Sequence, residues 1–318
     1  MQLDQFQIEQ LKTYWPFDGE FQFHRRVANF VYFNSIGNSE VVLRLTEPSH
    51  RNKDEIISEM HWMDYLSRQG LRLASPLPTV NGEFVVKLEG KQEYFAAVIS
   101  KAPGRLMKDQ DINQGFLDLY GQYLGKMNRL TKDYRPPAHI GKRQEWRQDE
   151  SLAMALRSHD KNDPIAYQRF SVFLAWLESL PQNRDCYGLI HCDLHMGNFF
   201  VKDNVITAFD FDDSCYQWFS HDLVAPMMSF EHAIADGQVP FSMEQLNSWF
   251  LDGYFKQNHL EQVWIDRLPL FKVYRDVLLY HWVKTSIREN LFDERAMAWA
   301  HGKLPVLKSR AEVEVRFI

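Results

Sequence analysis

The stretch His191-Cys192-Asp193-Leu194-His195-Met196-Gly197-Asn198, followed shortly by Phe209-Asp210-Phe211-Asp212-Asp213, decides how the rest of this chain is read. Phe199-Phe200-Val201 and Val205-Ile206-Thr207-Ala208-Phe209 are apolar, β-rich runs separated by Lys202-Asp203-Asn204, the composition of a tight hairpin. Such a hairpin carries Asn198 and Asp210 to the same open end. Asp193, Asn198 and Asp210 then make a set of two carboxylates and one amide. Phosphoryl transfer from ATP asks little more of a protein than a carboxylate beside the acceptor hydroxyl and oxygen ligands that hold Mg²⁺ against the phosphates. Because Mg²⁺ keeps several waters, one Asn, one Asp and the phosphate oxygens suffice without a dedicated cage.

The order H-x-D-x-x-x-x-N, then a strand, then Asp, resembles the aminoglycoside phosphotransferase and choline kinase family, distant relatives of the eukaryotic protein kinases. With Ser220-His221-Asp222-Leu223 downstream, the Asp210-Phe211-Asp212-Asp213 run is most similar to the homoserine kinase, hydroxylysine kinase and bacterial stress-response kinase branch. The resemblance implies Asp193 as catalytic base and Asn198 and Asp210 as Mg²⁺ ligands. It also implies His191 as a structural residue of the catalytic loop and Asp222 as the carboxylate that braces it. The implied fold is α+β, a bilobal protein-kinase-like fold with a small antiparallel β N-lobe and a mainly helical C-lobe. Two departures stand out. Cys192 occupies a position that is usually Gly in this family, and no G-x-G-x-x-G loop lies near the start, so cover for the nucleotide falls to a less recognisable hairpin.

Composition is that of a globular chain. At 318 residues, 45% apolar and 25% charged, it can bury a substantial core and form two lobes. A formal net charge of −6 gives no general attraction to nucleic acid or to an anionic membrane. Three cysteines, Cys186, Cys192 and Cys215, are too few and too oddly counted for a disulfide framework and favour a reducing compartment. The start, Met1-Gln2-Leu3-Asp4-Gln5-Phe6, has neither the basic nor the apolar region of a secretory signal. Apolar runs such as Tyr94 to Ile99 fall far short of the roughly 20 residues that cross a bilayer. A cytoplasmic protein is expected.

Strand-like runs at Val27 to Phe33, Glu40 to Leu45, Glu83 to Leu88 and Tyr94 to Ile99, with an Asn81-Gly82 turn, surround one helical stretch from about Asn52 to Gln69, with Gly70 as its C-cap. Lys101-Ala102-Pro103-Gly104-Arg105 is the hinge candidate. Helical periodicity follows over 112–130, 144–158, 165–180, 243–256 and 266–290. Residues 1–100 are therefore expected as a nucleotide-binding lobe, and 101–318 as a helical lobe with the catalytic loop, metal site and acceptor pocket. Arg44, on the Val41–Leu45 strand, stands where kinase-like folds place the cation that holds the α and β phosphates, with Glu59 on the next helix as its carboxylate partner.

Bland readings compete with these. Asp193 and Asn198 alone are ordinary turn residues. Asp212 and Asp213 are a metal or substrate contact, or a solvated acidic pair. His195 packs or meets a phosphate. Arg275 and Asp276, charges on the apolar helix Val273 to Trp282, pair with each other or line the acceptor site. Tyr216, Trp218, Tyr254 and Trp282 are core aromatics, or meet a cationic amine. The expected activity is ATP- and Mg²⁺-dependent transfer of the γ-phosphoryl group to a hydroxyl of a small molecule: an amino alcohol, a hydroxy amino acid, an aminoglycoside or a sugar. The rivals are a Ser/Thr protein kinase of the same fold, a nucleotide-binding pseudokinase module, and a metal-dependent phosphoester hydrolase using His191, Asp193 and His195. The last leaves Asn198 and Asp210 without a role.

Overall fold

The computed structural model describes residues 3–26, 29–148, 152–153, 164–235, 237, 239–292 and 294–317. Helix α1 (Gln5–Tyr14) precedes strands β1 (Gln22–Arg26), β2 (Phe30–Ile36) and β3 (Ser39–Thr46), then helix α2 (Lys53–Arg68) and strands β4 (Pro76–Leu77), β5 (Val85–Leu88) and β6 (Tyr94–Ser100). They form one antiparallel sheet in the order β1-β2-β3-β6-β4, with β5 also paired to β6. The expected sheet with one intervening helix is present, and β1 and β4 enlarge it. All five residues of β1 are exposed, so the strand lacks the apolar alternation that sequence reading needs. Residues 27–28, with which the first expected strand begins, lie outside the described residues.

Period-2 alternation on β3 sets the future site. Val41, Leu43 and Leu45 are buried with Leu11 of α1 and Trp15, the residue that follows it, in a core on one face of the sheet. Val42 and Arg44 point to the other face, into a cleft. Beneath that face runs α2, opened by a capping box in which Asn52 and Glu55 exchange side-chain-to-backbone bonds of 3.0 and 2.9 Å. Its apolar residues Ile56, Met60, Trp62, Met63 and Leu66 join a second, larger core shared with the helical part of the chain. Gly70, at φ +76°, ends the helix as expected, because a left-handed residue there costs glycine nothing.

After Ser100 the chain passes through residues 101–105, where Gly104 (φ +105°) lies so close to a later strand that a Cβ would sit 2.4 Å from the Val201 carbonyl oxygen. Helices α3 (Gln114–Asp133) and α4 (Pro164–Ser179) follow, then β7 (Tyr187–Ile190), the hairpin β8 (Phe199–Lys202) and β9 (Val205–Ala208), and β10 (Cys215–Trp218), which pairs with β7. The remainder is helical: the single turn α5 (Phe219–Asp222), α6 (Val224–Ala235), α7 (Met243–Phe255), the short α8 (Gln262–Asp266), α9 (Leu268–Arg288) and α10 (Glu294–Ala311). The expected helix over 144–158 falls largely outside the described residues; Trp146–Gln148 forms one 3₁₀ turn.

Helices α3 and α7 cross backbone to backbone. A Cβ on Gly121 would lie 1.9 Å from the Phe250 carbonyl oxygen, and one on Gly253 would lie 2.1 Å from that of Asp118. Neither contact is relieved by a side-chain rotation. Gly121→Ala is expected to force the helices apart at a cost of about 1–3 kcal/mol, a fall in Tm of roughly 2–10 °C. Gly302, inside α10 with no atom within 4 Å of its Cβ position, is the control. Gly302→Ala should leave Tm unchanged or raise it, since Ala is the better helix former. Equal melting of the two variants would rule out the close crossing.

Candidate active site

The loop from β7 to β8 carries Asp193. Asn198 Nδ2 donates to its backbone carbonyl at 2.8 Å and to Oδ2 at 3.2 Å, while Arg275 of α9 donates to Oδ1 and, at 2.7 Å, to the Cys192 carbonyl. The carboxylate is thus held from two sides. His195 Nε2 stands 3.5 Å from Oδ2, and its Nδ1 accepts from the Gly197 amide at 2.8 Å. Burial, only partly offset by Asp193, lowers the His195 pKa and favours the neutral ring.

The hairpin turns as its composition predicts, with Asp203 (φ +51°) and Asn204 (φ +58°) both left-handed, as a two-residue turn of type I′ requires. Its open end brings Asn198 and Asp210 together through a 2.9 Å bond from the Phe209 amide to the Asn198 carbonyl. Asp210 is itself left-handed at φ +67°. Burial and the neighbouring Asp212 raise its pKa, while Arg25, 3.2 Å from Oδ2, pulls the other way. These residues fit Mg²⁺. The Asn198 amide nitrogen is spent on Asp193, which leaves its oxygen as a hard ligand, and the Asp210 carboxylate is held only by a half-exposed ion pair of the kind worth about 0–1 kcal/mol.

On the facing lobe, Arg44 and Glu59 form two parallel bonds of 2.7 Å with both side chains buried. Burial opposes the Arg44 charge, but Glu59, with Asp212 and Asp210, raises its pKa. Asp212 is also buried. Its Oδ2 is 2.8 Å from His50, and Oδ1 is 3.9 Å from Arg44 and 3.8 Å from Arg51, so the His50 hydrogen bond and the two arginines hold it well below the usual carboxylate range in spite of burial. Two cavities meet here. One, of about 240 Å³, is mainly apolar and includes Val42, Glu59, Met60, Met63 and Ile99 in its lining. The other, of about 390 Å³, lies over Asp193, Arg275 and Trp282. Arg25, Val31, Arg44 and Asp210 line both.

Behind the loop is a buried relay. Asp222 accepts from the Cys192 amide at 3.0 Å and from Asn128 Nδ2 at 2.8 Å; Tyr254 donates to Asn128 Oδ1 at 2.9 Å, and Asn258 donates to Tyr254 at 2.7 Å. Burial raises the Asp222 pKa, against the pull of His191 and these donors. His191, fully buried, packs on Phe211 with centroids 4.5 Å apart and places Nε2 3.2 Å from the Phe209 carbonyl. Cys192 has φ +68°, a conformation that costs a non-glycine residue of order 1 kcal/mol and explains why Gly suits this position. Its thiol lies 3.3 Å from that of Cys215, and all three cysteines are buried and outside any disulfide.

The structure therefore brings Asp193, Asn198, Asp210, Arg44, Glu59 and Asp212 around one cleft, with His191 and Asp222 behind it. Sequence reading missed Arg25, on the strand without apolar pattern, and Asn128, an unremarkable helix residue. It left Arg275 open; Arg275 goes to Asp193, whereas Asp276 is buried, pushed up to about 6, and 3.9 Å from Arg310. Of the four aromatics considered for a cationic amine, Trp282 lines the cleft, Trp218 and Tyr254 are wholly buried, and Tyr216 lies under Lys142, 4.5 Å away. The hydrolase reading lacks its ligand set. Among the described residues no group of three or more His, Cys, Asp or Glu is placed to hold a metal ion, and His191 is turned to Phe209.

The profile of the phosphotransferase enzyme family matches residues 21–254. Amicoumacin kinase of Bacillus subtilis (strain 168) is 34% identical over 258 residues, covering 79% of this chain and 76% of its own. Homoserine kinase of Sinorhizobium medicae (strain WSM419) is 28% identical over 247 residues, 74% of this chain and 71% of its own. The solved structure of amicoumacin kinase hAmiN in complex with AMP-PNP, Ca²⁺ and Ami superposes with a TM-score of 0.85 at 28% identity, over 97% of this chain and 93% of that one. With its protein-kinase-like fold and its cleft of opposed carboxylates and arginines, the chain belongs to the phosphotransferase enzyme family and is a kinase acting on a hydroxyl group.

Proposed function

We propose that this kinase transfers the γ-phosphoryl group of ATP, bound with Mg²⁺, to a hydroxyl of a small molecule. The observation that carries the reading is the junction of two cavities at Arg44 and Asp210, with Asp193 in the second. A nucleotide in the first cavity lays its base on Val42, Met60 and Ile99 and its phosphates toward Arg44, which Glu59 fixes in place. Asn198 and Asp210 would hold Mg²⁺, which would neutralise charge on the phosphates. Asp212 acts through Arg44, and the weak pair with Arg25 leaves Asp210 exchangeable. An acceptor in the second cavity presents its hydroxyl to Asp193, which orients it and takes its proton as the phosphoryl group moves. Residues 1–100 serve as the nucleotide lobe, and 101–318 as the lobe of chemistry and acceptor.

A small molecule is favoured over a protein side chain because the relatives are named for amicoumacin and homoserine. A pseudokinase is disfavoured because every catalytic position is filled. Three buried cysteines, none of them in a disulfide, support a cytoplasmic setting, and among the described residues no helix is long and apolar enough to cross a membrane.

Asp193→Asn should keep the ATP-dependent rise in Tm while kcat falls about 10²–10⁴-fold; retained turnover would strip Asp193 of its role. Asp210→Ala should lose the Mg²⁺-dependent part of that stabilisation. With ligand a hundredfold above Kd this is about 2.7 kcal/mol, and an undiminished shift would place the metal elsewhere. Arg275→Lys cannot span Asp193 and the Cys192 carbonyl at once. It should lower kcat with little change in the KM for ATP, whereas a raised ATP KM alone would make Arg275 a nucleotide ligand. The activity itself is tested by ADP release with amicoumacin, homoserine, amino alcohols, aminoglycosides and sugars.

A further inference from the structure

Two side chains of the second cavity have no task in the mechanism above. Gln217, on β10, is 3% exposed, and its Oε1 is buried with no hydrogen-bond partner, while its Nε2 lies 3.6 Å from the Cys215 sulfur. His221, on α5, is also 3% exposed, and its Nδ1 is buried and unpartnered. Burial, with Arg275 nearby, pushes its pKa down to about 3, so the ring is neutral. It is held edge-on to Phe271 and Tyr274, with centroids 6.1 and 5.5 Å away. Both residues line the cavity over Asp193 and Arg275.

A buried polar atom left unpaired is costly, and such atoms in a cleft are explained when a ligand supplies the partner. The other unpaired oxygen of this cavity, Asp212 Oδ1, already has Arg44 and Arg51 within 4 Å. Asp193 is occupied by Arg275 and Asn198. Gln217 and His221 have no such compensation. A Gln carbonyl accepts only, so its missing partner is an N–H or O–H donor; a neutral imidazole Nδ1 accepts or donates with its tautomer. Leu278, Leu279 and Trp282 of α9 give the cavity an apolar side.

We infer that Gln217 and His221 form the acceptor-recognition subsite of this kinase. They bind a second polar group of the acceptor, an amine or hydroxyl donor near the hydroxyl to be phosphorylated, while an apolar body lies on Leu278, Leu279 and Trp282. The inference rests on the second cavity being the acceptor site. It assigns the substrate class as amino alcohols or diols with a hydrophobic part. An analogue without the second donor leaves both protein atoms unpaired, and this kind of mismatch gives strong discrimination.

The test uses the full chain with ATP and Mg²⁺ and three probes of one shape: 2-amino-3-phenylpropan-1-ol, 3-phenylpropane-1,2-diol and 3-phenylpropan-1-ol. The amine or the diol should be phosphorylated with kcat/KM at least tenfold above the mono-alcohol, and which of the two leads identifies the donor. Gln217→Leu should raise the KM of the preferred probe at least tenfold with kcat within threefold. Gln217→Glu, which keeps an accepting oxygen in place, should retain the preference, and His221→Phe should weaken it. An ATP-dependent rise in Tm confirms that each variant has a folded nucleotide site. Equal use of the three probes, a preference untouched by Gln217→Leu, or turnover of amicoumacin or homoserine with none of the three would overturn the subsite while leaving the kinase reading intact. No ADP release with any acceptor would overturn the proposed function, and the subsite with it.

Discussion

Three carboxylates, Asp193, Asp210 and Asp212, border one cleft, and holding negative charge in a partly dehydrated site is the constraint around which it is built. Burial, with a smaller push from Asp212, raises the pKa of Asp210. Each is matched by an arginine from a different element: Arg275 of α9 on Asp193, Arg25 of β1 on Asp210, and Arg44 of β3 with Arg51 near Asp212. The matches differ in strength. The buried groups around Asp212 are tied in place, whereas the half-exposed Arg25–Asp210 pair is weak and exchangeable. That gradient leaves Asp210 the most exchangeable of the three, as its proposed role as a metal ligand needs, and keeps Asp212 in place.

Holding Asp193 also depends on groups far behind it. The relay Asn258, Tyr254, Asn128, Asp222 ends on the Cys192 amide, so the catalytic loop is fastened to α3 and α7. Tyr254 reaches Asn128 because the glycines at 121 and 253 let those helices touch backbone to backbone. The buried Arg44–Glu59 pair adds little net stability, since dehydrating both charges offsets most of their attraction. Its service is positional: a bidentate pair fixes the guanidinium plane at the mouth of the cavity proposed for the nucleotide.

Much of this was legible in the chain because it is encoded at short range. The Lys202-Asp203-Asn204 turn between two apolar runs is sufficient to make Asn198 and Asp210 neighbours, and the alternation Val41 to Leu45 is sufficient to put Arg44 on the face opposite Leu43. The capped helix after Asn52 gave Glu59 its place by the same local logic. Strand β1 escaped because exposed residues carry no periodicity, and with it went Arg25.

Short stretches of the chain encode the local parts: a hairpin that gathers an amide and a carboxylate, a strand that presents a cation, and a loop that carries Asp193. Which distant groups complete them follows from packing. Arg275 reaches Asp193 across 82 positions and Arg25 reaches Asp210 across 185. Gln217 and His221 become a pair of unpaired atoms in a cleft only when β10, α5 and α9 are packed around it. The reason is physical. Turns and alternation follow from the conformational preferences of adjacent residues, whereas the meeting of separate elements follows from how whole faces bury against one another, and no short stretch of the chain contains that information.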